Sequence, residues 1–190
     1  MKKLTILAGL FFATAFAQAE NLIISPEVMN QITVEAARAG IINWKVGDTQ
    51  VFDLKISALP IPGGTMTKTV TKDEGDTLWF SQDMNLIITN QKAEIQINKA
   101  DGKVLKIIVG GQEQQIPDSK IEIVSATDDK ITVPAGSFPC LHIVAKDGSG
   151  QQIEVWMNIE ATCMSGELKM IAPSQMGTIT LELKSFKKTP

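Results

Sequence analysis

The stretch ITVPAGSFPCLHIV, Ile131 to Val144, decides how this chain is read. Ile131-Thr132-Val133 has the composition of a strand end, and Val133-Pro134-Ala135-Gly136 supplies a tight turn. A new strand then carries Cys140, one of two cysteines, and His142, the single histidine. Along that strand Leu141, Ile143 and Ala145 share one face, while Cys140, His142 and Val144 share the other. On the following strand, Gln151 to Met157, Ile153 and Val155 oppose Gln152, Glu154 and Trp156. A three-residue loop, Asp147-Gly148-Ser149, pairs Ile143 with Ile153 and puts both apolar sets on one side. The same register sets His142 opposite Glu154 and Cys140 opposite Trp156.

The two-residue period extends outward from this hairpin over most of the chain. Val51-Asp53-Lys55 alternates against Phe52-Leu54-Ile56, and similar short runs recur from Met66 to Thr71 through Thr178 to Phe186. Turn chemistry separates them at Pro60-Ile61-Pro62-Gly63-Gly64, Asp101-Gly102, Gly110-Gly111, Asp147-Gly148 and Pro173-Ser174. Ten to twelve short strands without intervening helices predict a mainly β fold, a single antiparallel meander. One helix is expected before it. Ser25 is a good N-cap, Pro26 suits the first helical position and Gly40 the C-terminal stop. Val28, Met29, Ile32, Ala36 and Ala39 give that helix one apolar face. A single helix cannot cover both faces of so large a sheet, so the sheet is expected to curl into a half-barrel or open barrel with the Pro26–Ala39 helix packed on its concave side.

The first nineteen residues read as a cleaved export signal: Met1-Lys2-Lys3 is positive, Leu4 to Ala17 mostly apolar, and Ala17-Gln18-Ala19 a cleavage site. Residues 20–190 then form one domain. Removing 19 of 190 residues leaves 171, and losing two lysines takes the net charge from −3 to −5. That balance, with Arg38 the one arginine, argues against nucleic acid and anionic lipid surfaces. Nothing after Ala19 is long and apolar enough for a transmembrane helix. The expected location is the bacterial periplasm or the medium, with the product soluble after signal cleavage.

No catalytic signature is present: no G-x-S-x-G, no H-E-x-x-H and no phosphate-cradling glycine loop. One histidine and two cysteines do not make a conventional zinc site, and the acidic runs Asp73-Glu74-Gly75-Asp76 and Asp128-Asp129 read as hairpin tips. No metal or cofactor is implied. In an oxidising compartment Cys140 and Cys163 are expected to form a disulfide. A redox pair and two buried thiols are the alternatives, the first lacking C-x-x-C spacing. Trp79 and Phe80 fall on opposite faces of one strand, and methionines such as Met157, Met164 and Met170 suit either an adaptable apolar pocket or an ordinary core.

With V-P-A-G-S-F-P-C-L-H-I (Val133 to Ile143), V-W-M-N (Val155 to Asn158) and G-E-L-K-M (Gly166 to Met170), the chain resembles a family of exported bacterial β-proteins of unknown function. The likeness covers roughly Ile131 to Met170. It implies a fold similar to the half-barrel of the lipoprotein carriers LolA and LolB, and it implies no reaction. The expectation is therefore a non-catalytic binding or carrier protein for a hydrophobic or lipid-like ligand, with Trp79, Phe80, Trp156, His142 and Glu154 as candidate ligand-binding residues. The alternative is a structural or interaction protein of the cell envelope with a filled core. An enzyme built on His142 and Glu154 is the third reading.

Overall fold

In the computed structural model the described residues are 42–57, 63–86, 89–116, 122–174 and 177–190. The expected export signal and the expected Pro26–Ala39 helix both fall outside the described residues. The described residues form eleven strands: β1 (Thr49–Ile56), β2 (Gly64–Asp73), β3 (Thr77–Leu86), β4 (Thr89–Asn98), β5 (Val104–Val109), β6 (Gln112–Gln114), β7 (Glu122–Val133), β8 (Gly136–Lys146), β9 (Gln152–Met157), β10 (Glu167–Ser174) and β11 (Gly177–Lys187). All belong to one antiparallel sheet in the order β6-β5-β4-β3-β2-β1-β11-β10-β9-β8-β7. Each half of the chain meanders outward from the β1–β11 pair, so β6 and β7 are the two edges and the sheet does not close.

Covalent reach forces that sheet to curl. Ten inter-strand spacings would separate flat edges by about 48 Å, whereas the chain from Gln114 to Glu122 extends at most about 29 Å. A second tie curls the other half. The backbone N–H of Ala135, in the β7–β8 turn, donates to the carbonyl of Leu183 on β11 at 3.0 Å. Beyond β9, which ends at the Met157–Leu141 pair, the distal β7–β8 arm thus folds back until its tip reaches β11. Asn158 Nδ2 donates to the Pro139 carbonyl at 2.8 Å, and Ile131, Ala135 and Phe138 pack against the core.

Alternation decides what is buried. Phe52, Leu54 and Ile56 of β1, Met66 and Val70 of β2, Leu78, Phe80 and Met84 of β3, and Leu181 and Leu183 of β11 all point inward. Two expectations need correction here. Asp128-Asp129 is not a hairpin tip, because β7 runs unbroken from Glu122 to Val133 with Asp129 paired to Cys140. The β8–β9 register also differs: Ile143 pairs with Val155 and His142 with Trp156, not with Ile153 and Glu154. The reason is the loop. Asp147 Oδ1 accepts from the N–H groups of Ser149 and Gln151, and the Asp147 N–H donates to the Gln151 carbonyl at 2.9 Å. A five-residue loop with Gly150 in the left-handed region results. It moves the register by two, which leaves every side chain on its expected face.

Candidate functional site

The residues proposed from sequence divide between two faces. On the outer face His142 stacks flat on Trp156, ring centroids 4.1 Å apart and 4° from parallel. His142 Nε2 sits 3.1 Å from Glu154 Oε2, a diagonal contact made possible by the shifted register. The Trp156 indole donates to Asp129 Oδ2 at 3.0 Å. The Lys130 backbone N–H, and next the Trp156 indole, hold the Asp129 carboxyl below its ordinary range. Lys169 Nζ lies 5.7 Å from the Trp156 ring centroid and bonds Glu182 at 3.0 Å. With a histidine from β8, an aspartate from β7 and an ammonium from β10 all against it, Trp156 of β9 ties four strands together.

Trp79 and Phe80 do not join that cluster. Trp79 donates to Glu74 Oε2 at the β2–β3 tip, where the Lys72 ammonium, then the Trp79 indole, depress the Glu74 carboxyl. Phe80 is core, packed edge-on against Trp44 at 5.8 Å. The expected Cys140–Cys163 disulfide is not formed, for both are free thiols. Cys140 is held in β8 opposite Asp129, while the Cys163 thiol turns to the Thr49 carbonyl at the start of β1. Burial, then the Asp48 charge, push the Cys163 thiol up to about 11.

Sequence reading missed a second constellation on the inner face. Gln50, Lys68 and Gln82 are consecutive partners across β1, β2 and β3, and all three are buried. A bulge between Glu167 and Lys169 in β10 turns both Glu167 and Leu168 into the interior. Glu167 Oε2 there meets Lys68 Nζ at 2.6 Å, and Gln50 Nε2 donates to the Glu167 carbonyl at 3.3 Å. Gln50 Oε1, Gln82 Oε1 and Glu167 Oε1 accept no hydrogen bond from any described residue. A buried acceptor left in that condition costs about 1–3 kcal/mol, so the row favours groups that bring hydrogens. Part of this was visible. Lys68 falls between Met66 and Val70, and Gln82 between Phe80 and Met84, on core-facing positions.

Apart from this row, a cleft of about 350 Å³ opens between the segment before β1, the β9–β10 loop and Lys188. Trp44, Ile159 and Met164 give it apolar walls, and Asn43, Glu160 and Lys188 are polar groups around it. The loop that makes one wall is tightly built. Thr162 Oγ1 donates to the Asn158 carbonyl, the Gly166 N–H to the Cys163 carbonyl, and the Asn158 N–H to the Gly166 carbonyl. Met164 holds φ 53°, an uncommon conformation for a residue with a side chain. Among the described residues no group of three histidine, cysteine or acidic side chains gathers to hold a metal. No described helix is long and apolar enough to cross a membrane.

No protein-family model matches the chain, and no curated protein matches its sequence. Among solved structures it is similar to the hypothetical protein CT021 from Chlamydia trachomatis, with TM-score 0.50 and 10% identity over 80% of this chain and 92% of that one. A Bacteroides fragilis protein with a YmcC-like fold aligns with TM-score 0.44 and 8% identity over 76% of this chain and 97% of that one. At 10% identity the likeness to CT021 shows the fold alone.

Proposed function

We propose that this is an exported, non-catalytic binding or carrier protein for an amphipathic, lipid-like small molecule. The observation that carries the reading is the cleft of about 350 Å³ at one end of the curled sheet. Its volume falls in the range of small-molecule sites, and β-barrel mouths are common places for them. Apolar walls of Trp44, Ile159 and Met164 beside polar Asn43, Glu160 and Lys188 suit a ligand with one apolar and one polar end. Export rests on the N-terminal signal pattern. The absence of enzyme chemistry rests on the missing signatures and on His142, whose ring is committed to Trp156 and Glu154. The test is uptake of a fluorescent fatty acid by delipidated protein, with Ile159→Trp filling the cleft. Uptake that Ile159→Trp abolishes supports the reading; no uptake, or uptake indifferent to the substitution, overturns it.

One observation favours the alternative of an envelope interaction protein. Edge strand β7 is twelve residues long and exposed along nearly its whole length. Ile123 and Val124 are 48% and 53% exposed beside that open edge. Such an edge accepts a further strand from a partner. A pull-down from envelope extract that loses its partner on Ser125→Pro supports this reading, and an unchanged catch removes it.

A further inference from the structure

We infer that the polar end of the cleft is an anion site in which the Lys188 ammonium holds the headgroup, so that the ligand is a single-chain amphiphile with a carboxylate or phosphate head. The inference rests on the binding reading above and adds the class of ligand. It starts from where Lys188 is held. Strand β11 ends at Lys187, and the residues after it are tied to the segment before β1. The Thr189 N–H donates to Asp48 Oδ1 at 2.7 Å, and Thr189 Oγ1 donates to the Val46 carbonyl at 3.4 Å. Lys188, fixed between the strand end and these bonds, lines the cleft together with apolar Trp44, Ile159 and Met164. Burial and then the Asp48 charge push up the thiol of Cys163, another cleft residue, and the Lys188 charge opposes them.

Charge then selects the headgroup. Two acids also line the cleft, Asp48 and Glu160. Asp48 is buried and spends both oxygens on backbone N–H groups, Oδ2 on Lys45 at 2.9 Å and Oδ1 on Thr189. Glu160 is exposed in the β9–β10 loop. Against it stand Lys188, its neighbour Lys187, and Lys45 in the segment that Thr189 binds. None of these three makes an ion pair with a described residue, whereas every lysine from Lys55 to Lys106 does. This end of the sheet thus keeps uncompensated positive charge in a chain whose net charge is −3. An anionic head there gains Lys188 as a charge-assisted donor, an alcohol gains only a weaker hydrogen bond, and an amine is repelled.

The experiment measures chain-matched lauric acid, dodecyl phosphate, dodecanol and dodecylamine by calorimetry, below their micelle concentrations, on the delipidated chain of residues 20–190. Wild type, Lys188→Met and Lys188→Glu are compared after thermal melts show each to be folded; Lys188 is exposed, so neither change disturbs the core. The expected result is that lauric acid, dodecyl phosphate or both bind about fivefold or more tighter than dodecanol, the worth of one screened ion pair. A preference shown by one acid alone supports the inference and names the head. In Lys188→Met the preference falls to within about twofold with dodecanol affinity unchanged, and Lys188→Glu turns it toward dodecylamine. Raising salt to about 0.5 M shrinks the wild-type preference in the same way. Dodecanol or dodecylamine binding as tightly as the better acid overturns the inference and leaves the binding reading standing. An anion preference untouched by both substitutions does the same. Binding of no member of the series overturns both.

Discussion

Lys68 and Glu167, 99 residues apart in sequence, form an ion pair of 2.6 Å with 2% and 1% of their side chains exposed. It joins β2 to β10 across the inside of the curled sheet, and the Lys68 ammonium also stands 5.1 Å from the Phe52 ring centroid. Removing one partner of such a pair strands a charge in the interior, whereas removing both does not.

Lys68→Met is therefore expected to lower the unfolding free energy by about 3–5 kcal/mol. The double variant Lys68→Met/Glu167→Met should recover most of the loss and approach wild-type stability. Urea unfolding of the three proteins checks the pattern. A single variant as stable as wild type would mean the pair is solvated in the folded protein.

Gly166 closes the loop that forms one cleft wall, at φ 72°, and a Cβ there would lie 2.6 Å from both the N and Cα of Ile159. Backbone on the other side cannot move aside as a flexible side chain could. Gly166→Ala should cost on the order of 2–4 kcal/mol from left-handed strain and overlap together. The same change should weaken ligand uptake, because Ile159 lines the cleft. Thermal melts and the fluorescent-lipid assay measure the two effects separately.

Strands and their faces were legible in the sequence because a two-residue period records which side is wet. The inward set Phe52-Leu54-Ile56 and the outward set His142-Glu154-Trp156 both follow from it. Register was not legible, since it depends on how Asp147 caps its loop, a matter of three hydrogen bonds and not of hydropathy. Glu167 was hidden for a related reason: only a bulge in β10 turns it inward beside Leu168. Cys140 and Cys163 show the limit of arguing from compartment, because pairing needs proximity and their neighbours lie on different strands.

Glu182 links β11 to β10 and β1 through Lys169 and Lys55, each at 3.0 Å. Its hydrogen bond from Lys169, and next that from Lys55, hold the carboxyl below the ordinary glutamate range. A depressed folded-state value contributes stability above the unfolded value of about 4.3, lost as pH falls through the folded value. Glu182→Gln should lower stability at pH 7 by roughly 1 kcal/mol, since the group is partly exposed. The gap between variant and wild type should narrow steadily below about pH 4. Denaturant melts at pH 7, 5 and 3 follow it. A gap constant across that range would mean the loss comes from packing alone.

The thiols provide the last prediction. Cys163 is buried against the Thr49 carbonyl with its thiol pushed up to about 11, and burial, then the Asp129 charge, raise the Cys140 thiol as well. The thiolate is the reactive form, so native protein at pH 8 should label slowly with iodoacetamide at both positions. Labelling of Cys163 should accelerate as pH approaches 11. In denaturant without reductant both thiols should label completely, giving a mass increase of two adducts. For a thiol raised in the folded state, stability is full below the unfolded value of about 8.5 and declines as pH rises through the folded one. Cys163→Ala should remove that alkaline decline, at the cost of a small cavity beside β1. A denatured, unreduced protein that takes up no label would show that the chain closes a 140–163 bridge, with the β9–β10 loop displaced from Thr49 to reach β8.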